Sequence, residues 1–231
     1  SLTGFVIGDD SIADILVQPD GKILAGGFAN VGPLGADDWA FLRLDPDGTQ
    51  DNGFGLLGEF RHNVGESDDS VSAITLDSSN RILAVGDEAP LDFGPSRGVV
   101  MRITSSGNPD ATFAGDGVRK FEFVDGERTT AVAVQADGRI VTLGPSGDAS
   151  TGTLVRRILS NGSDDPSFGG DGVYAVPGGV QFTGGLVASG GAIFVSGGSA
   201  ANGTLRFNVN PAVVDFEFRF ETGPQNIRGH F

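Results

Sequence analysis

The chain contains no cysteine, and that single absence removes disulfides, zinc–thiolate centres and cysteine nucleophiles together. Histidine is nearly missing as well. His62 and His230 are the two present, too few for a multi-histidine zinc or iron centre. His62 falls in Phe60-Arg-His-Asn-Val64, which reads as an outer strand, and His230 sits one residue from the C-terminus. Neither is well placed as the base of a hydrolytic triad. No apolar run approaches the roughly 18 residues that a membrane-spanning helix requires. Positive charge is scarce: 15 Lys and Arg face 30 Asp and Glu, a net charge of −15. Lacking a basic stripe, the chain is poorly suited to nucleic acid or anionic membrane and better suited to solubility or cation binding.

What is abundant points to one fold class. In 231 residues there are 38 Gly, 11 Pro and 17 Phe. Gly and Pro punctuate short elements and aromatic residues favour pleated surfaces, so the expectation is all-β. Repeat and all-β folds reach this length with one continuous core, so a single domain over residues 1–231 is the default expectation. The chain opens with Ser1 rather than Met, as a processed sequence does.

The chain then says nearly the same thing four times. VQPDGKILAGG at Val17–Gly27 returns as LDSSNRILAVG at Leu76–Gly86, VQADGRIVTLG at Val134–Gly144 and VASGGAIFVSG at Val187–Gly197. The turn residues Gly21, Asn80, Gly138 and Gly191 recur at intervals of 59, 58 and 53 residues. Such a period indicates units that cannot bury their faces alone. The units run approximately over residues 12–68, 71–127, 130–179 and 182–220, with 1–11 and 221–231 as terminal segments. A residue type present in every unit is expected to hold the unit together, so repetition explains the fold better than the activity.

Within the second unit the apolar residues alternate in separate runs: Val71 to Leu76, Ile82 to Val85, and Val99 to Ile103. A fourth run, Val118, Phe121 and Phe123, has Arg119, Lys120 and Glu122 between its apolar members, the pattern of a strand with one wet face. Four antiparallel strands per unit follow. Asp20-Gly21, Ser79-Asn80 and Asp137-Gly138 predict a two-residue hairpin between the first two strands. After the third strand come Arg43, Arg102 and Arg157 in register, each with a Gly five residues on and, six residues after that Gly, Phe54, Phe113 or Phe168. One Phe in each Gly-rich connection is expected to plug the space between neighbouring units, since burying it contributes about 1.5–3 kcal/mol.

The motifs Pro-Asp-Gly-Lys-Ile-Leu, Arg-Leu-x-Pro-Asp-Gly and Ser-Phe-Gly-Gly-Asp-Gly-Val resemble the bacterial delta-60 repeat, a family of β-propeller-like units. The resemblance covers Val17–Gly55, Leu76–Gly117 and Val134–Gly172. The fourth unit departs: Gly190-Gly191-Ala192 replaces Asp-Gly-Lys, Arg206 to Pro211 matches the Arg motif loosely, and Phe-Gly-Gly-Asp-Gly is missing. The resemblance implies a β-propeller of four repeats with about four antiparallel strands each, on a scaffold found in large bacterial surface and secreted proteins rather than in a set of enzymes. Closure removes sheet edges. Thr3–Ile7 and Val214–Phe220 each read as a further outer strand, so either the N-terminal strand completes a blade or the ends pair with neighbouring chains. In the second case residues 214–220 make the protein a homo-oligomer or filament subunit.

Acidic loops are the first candidates for chemistry. Asp45, Asp47 and Asp51 have spacing similar to a calcium loop, without the bidentate Glu of an EF-hand, so calcium is one expectation there and turn capping the other. Asp37-Asp38, Asp68-Asp69, Asp116, Asp164-Asp165 and Asp171 are further oxygen donors with the same two readings. Arg43, Arg102 and Arg157 can line a channel and hold an anion, or each can pair with an Asp of the adjacent turn. A single-sign ring is costly without its anion, which favours pairing. The leading functional reading is a non-enzymatic, extracellular or surface-associated binding or assembly module for a protein or carbohydrate ligand. The alternative is a calcium-dependent propeller hydrolase or lyase using channel carboxylates.

Overall fold

The computed structural model describes residues 10–30, 36–65, 68–89, 96–121, 127–147, 152–176, 182, 185–189 and 192–196, and the backbone of strands at 203–208, 215–220 and 227–230. Among the described residues, seventeen strands fall in four antiparallel meanders. The first sheet is β1 (Ser11–Val17), β2 (Ile23–Asn30), β3 (Asp37–Leu44) and β4 (Glu59–His62). The second is β5 (Ser70–Leu76), β6 (Ile82–Glu88), β7 (Arg97–Ile103) and β8 (Val118–Lys120). The third is β9 (Ala131–Val134), β10 (Ile140–Pro145), β11 (Thr153–Ile158) and β12 (Val173–Val176). The fourth is β13 (Leu186–Ser189), β14 (Ala192–Ser196), β15 (Gly203–Asn208), β16 (Asp215–Phe220) and a fifth strand, β17 (Ile227–His230). Sheets one and two lie in a compact unit, Ser1–Thr129, and sheets three and four in a second, Thr130–Phe231.

Four strands per repeat, as the alternation predicts, is what the chain forms. The fourth sheet also carries a fifth strand, β17, in the segment 221–231 that the sequence reading leaves as terminal. Thr3–Ile7, Phe123 and the side chains of Val214–Phe220 lie outside the described residues. The hairpin loops differ from expectation. Gln18 N donates to Lys22 O and Gly21 N to Gln18 O, so three residues form the loop and a single left-handed residue, Gly21 at φ 83°, closes it. Asn80 (φ 57°) and Gly138 (φ 83°) repeat the arrangement. A two-residue type I′ turn needs two such residues; a type I turn followed by one left-handed residue needs one.

Register explains why a sheet cannot stand alone. On the first sheet Leu16, Leu24, Phe41 and Phe60 share one face, and on the second Val71, Ile74, Ile82 and Met101 share the face that meets it. Together they form one buried cluster with Trp39 and Phe54. In the second unit Val141, Leu143 and Val155 of the third sheet cover Ile193 and Val195 of the fourth in the same way. Asp14 adds a polar tie: its carboxylate accepts the Ile74 amide at 2.8 Å.

Each of the first two sheets breaks register once between its first two strands, at Ile12/Asp14 and at Val71/Ala73. The bulge pushes a carbonyl inward. A Cβ on Gly27 would sit 1.9 Å from Ser11 O, and one on Gly86 1.9 Å from Ser70 O. Glycine there answers a close backbone approach. Gly86→Ala is therefore expected to destabilise the protein by at least about 1–3 kcal/mol, the range for overpacking, measured by urea unfolding. A substitution without effect on the midpoint would show that the bulge relaxes freely.

Candidate functional site

Arg43, Arg102 and Arg157 leave their strands at the start of each third-to-fourth connection, and in every case the guanidinium turns onto an Asp eight residues later. Nε to Oδ2 is 2.6 Å for Arg43–Asp51, 2.8 Å for Arg102–Asp110 and 2.7 Å for Arg157–Asp165. The three pairs are buried. The other carboxylate oxygen of each Asp caps the loop, accepting the amide of Gly53, Thr112 or Ser167 at 3.0 Å. Each guanidinium also lies over the Phe that ends the turn, 4.5 Å from the Phe54 ring and 4.9 Å from those of Phe113 and Phe168, an arrangement in which ring face and cation attract.

A second cation reaches each Asp from the hairpin turn of the same unit. Lys22 Nζ is 2.9 Å from Asp51, Arg81 Nη1 3.3 Å from Asp110 and Arg139 Nε 2.8 Å from Asp165. Hairpin turn, third strand and following loop are thereby tied at one carboxylate. Breaking such buried pairs by removing one partner is costly, because an unpaired charge is left inside. The sequence reading named the Arg and Phe and expected an Asp of the adjacent turn as the partner of each Arg; it did not single out Asp110 or the hairpin cation. The signal is the constant spacing Arg, Asp eight later, Phe three later.

Phe54, itself fully buried, presses on the next repeat: a Cβ on Gly107 would meet Phe54 Cδ2 at 2.9 Å, and Gly55 N donates to Ser106 O at 2.9 Å. Arg43 Nη1 donates to the Ser105 carbonyl alongside. Of the proposed calcium ligands, Asp45 and Asp51 share the Lys22 ammonium at 2.8 and 2.9 Å, and Asp47 accepts the Thr49 hydroxyl at 2.6 Å. Asp116 and Asp171 accept the Val118 and Val173 amides, and Asp37 and Asp68 hold Asn30 and the Asp37 amide. Among the described residues no group of three or more His, Asp or Glu gathers as a metal site. His62 stands on β4, stacked 6.0 Å from Phe60, and burial lowers its pKa.

One cleft opens beside the Phe54 anchor. It holds about 500 Å³ and is lined by Gly55, Leu56, Glu59, Phe60, Arg61, Gly107 and Asn108. Leu56 and Glu59 exchange backbone hydrogen bonds at the base of the loop tip, and Gln50 Nε2 donates to Glu59 at 3.2 Å. The sequence reading singled out no residue of this cleft apart from its Phe54 neighbour.

Two titrations of opposite sign follow from the geometry. Burial pushes Asp51 up, but bonds from Lys22, Gly53 and Arg43 outweigh it and hold the pKa at about 2, against an ordinary 3.8. Its contribution to stability is present above about pH 4 and lost as pH falls through 2. Asp110 and Asp165 are lowered similarly. Asp69 is raised to about 6 by burial, despite accepting the Gly65 and Val64 amides, with Glu88 nearby adding to the rise. The folded state therefore holds that proton more tightly, and stability falls as pH rises from about 4 through 6. Denaturant midpoints across pH 2–8 should peak near pH 4; Asp51→Asn should flatten the acid limb and Asp69→Asn the limb between pH 4 and 6. Unchanged limbs in both variants would refute the assignment.

Calcium at Asp45 and Asp51 would have to displace Lys22 from both carboxylates. The thermal midpoint is expected to be the same in millimolar calcium and in chelator. A rise with calcium would assign the loop to the ion, since a ligand of the native state alone must stabilise it.

Residues 18–54, 78–113 and 135–168 match the family described as domain of unknown function (DUF5122) beta-propeller. No curated protein matches the chain. Among solved structures, the PQQ-bound form of aldose sugar dehydrogenase from Streptomyces coelicolor is similar at 13% identity and a TM-score of 0.52, over 95% of this chain and 67% of that one. A protein of unknown function from Dyadobacter fermentans DSM 18053 aligns at 12% identity and a TM-score of 0.47, over 94% of this chain and 74% of that one. At such identities the first likeness speaks to fold alone. With three matched segments and four antiparallel meanders, the chain is an all-β protein of propeller-type repeats.

Proposed function

We propose that the chain is a non-enzymatic binding module, extracellular or surface-associated, whose recognition loop is carried by the first repeat. The recurring Arg, Asp and hairpin cations are engaged in closing loops, which directs attention to what differs between repeats. At the tip of the third-to-fourth connection the second and third repeats have Gly115-Asp116 and Gly170-Asp171; the first has Leu56-Leu57. That substitution carries the reading. Leu57 gives up the cap that Asp116 and Asp171 provide and takes φ 55°, a left-handed conformation that costs a non-glycine residue roughly 1–3 kcal/mol. Leu56 and Leu57 are 79% and 64% exposed. A turn that forgoes a cap, accepts strain and displays two leucines at the mouth of a cleft is built for contact rather than stability.

The cleft chemistry fits an extended protein segment. Leu56 and Phe60 offer an apolar surface for a side chain, while Glu59, Arg61 and Asn108 border it with groups able to bond a backbone. The delta-60-like motifs, associated with bacterial surface and secreted proteins, agree with a scaffold that presents such a loop.

The test is a peptide library displayed on phage and selected on the wild-type protein. Enriched peptides should bind the double variant Leu56→Gly/Leu57→Asp at least tenfold more weakly, while that variant, which restores the cap of the other repeats, unfolds at the same or a higher temperature. Equal binding to both proteins would overturn the proposal.

A further inference from the structure

Two buried carboxylates converge where the chain passes from the first sheet to the second. Asp69, just before β5, is fully buried, and Glu88, at the end of β6, is 5% exposed. Both lie against Gly65: a Cβ there would meet Asp69 Oδ1 at 2.8 Å and Glu88 Cβ at 3.1 Å. Asp69 Oδ2 accepts the Gly65 and Val64 amides at 2.6 and 3.0 Å, and Asp69 N donates to the Asp37 carbonyl of β3 at 2.8 Å. Asp69 Oδ1 has no hydrogen-bond partner. The second residue after the shared strand glycine is Ala29, Ser146 or Ser199 in the other repeats, so the pair belongs to the second sheet alone.

The charges around the pair are unevenly placed. Arg97 Nε of β7 is 2.8 Å from Glu88 Oε1, and Lys120 Nζ of β8 is 2.5 Å from Glu88 Oε2 while donating to the Val64 carbonyl. The approach of Lys120 to Oε2 falls outside hydrogen-bonding angles, so that oxygen, like Asp69 Oδ1, is buried without a hydrogen bond. Both cations pair with Glu88 and neither with Asp69. The nearby Asp68 accepts the Asp37 amide, Asp37 holds Asn30, and Asp87 faces Arg128 at 3.8 Å. Two ionised carboxylates offer acceptors only, whereas one proton turns an acceptor into a donor. Burial favours keeping that proton: it raises the Asp69 pKa to about 6, with Glu88 adding to the rise against the Gly65, Val64 and Ala89 amides.

We infer that one proton shared between Asp69 Oδ1 and the Glu88 carboxylate clasps Val64, Gly65 and Asp69 to the second sheet, and that its loss loosens this seam while both sheets stay folded. The proton belongs to the pair rather than to either residue. A group whose folded pKa is raised stabilises below its unfolded value and loses that effect as pH rises through the folded one, so the clasp is closed in mild acid and open at neutral pH. Ionised, Asp69 keeps its amide donors but has a second carboxylate, not a cation, as its neighbour. The inference does not depend on the Leu56-Leu57 loop.

Trp39 supplies the readout. It is the only tryptophan, is fully buried, and its indole N–H donates at 3.4 Å to the carbonyl of Asp87, next to Glu88. Titrated from mild acid to pH 8, the wild type's emission should shift to longer wavelength along a one-proton curve with a midpoint near 6, at constant far-UV circular dichroism. Asp69→Asn, whose amide can donate to Glu88 at every pH, should keep the short-wavelength emission throughout. Glu88→Gln should move the midpoint to lower pH. His62 pairs with Trp39 across β3 and β4, so His62→Gln is the control and should leave the curve in place. Should Asp69→Asn fail to fold, the other two variants decide alone. A wild type without the shift overturns the inference, as does a shift that persists in Asp69→Asn or disappears in His62→Gln, which would assign it to another group. An unchanged or raised midpoint in Glu88→Gln overturns the sharing of the proton.

Discussion

A four-stranded meander with apolar residues on both faces is not stable alone, and this constraint organises the molecule. Phe41 and Leu24 are core residues because the second sheet brings Val71 and Ile74 onto them; those two, on an edge strand, are core residues because of the first sheet. Gly26 shows how close the approach is, since a Cβ there would meet Ile74 Cγ2 at 2.9 Å. Hydrophobic burial here belongs to pairs of repeats, as in other repeat architectures. Loops, caps and ion pairs serve to hold each sheet in register for that packing.

The Arg–Asp–Phe assembly does this for the longest connection. A Gly-rich loop has high conformational entropy to lose, and closing it around one carboxylate shared by two cations fixes three segments at once. Because the charges sit among buried side chains, the pairs are sensitive to loss of either partner. The aromatic ring beneath the guanidinium completes the loop's inner surface and, for Phe54, reaches the turn of the next repeat. Polar and apolar terms therefore act at the same point.

Much of this could be read from residue order. The period, the strand count and the strands of the second repeat depend on local alternation, which sequence displays directly. The hairpin type was misread because Asp-Gly is compatible with two loop lengths, and only the Gln18–Lys22 pairing separates them. The calcium-like spacing of Asp45 and Asp51 is a local signal, whereas the ammonium that both carboxylates hold belongs to Lys22, more than twenty residues earlier. The cleft was hidden for a related reason, since Phe60 and Asn108 come from different repeats. The Leu56-Leu57 tip was visible in principle by subtracting one repeat from another.

The fourth repeat has Ala192 where the others have a hairpin cation, and Val214 where an Asp would stand eight residues after Arg206. Its connection from β15 to β16 therefore lacks the residues that close the other three locally. The described core contacts of its sheet come from Leu186, Ile193 and Val195 against the third. Order in this repeat is borrowed from its neighbour, so it contributes little cooperative free energy of its own. Opening of the chain should begin there and travel toward the locked repeats, giving amide protons of β14 weaker protection than those of β6 or β10.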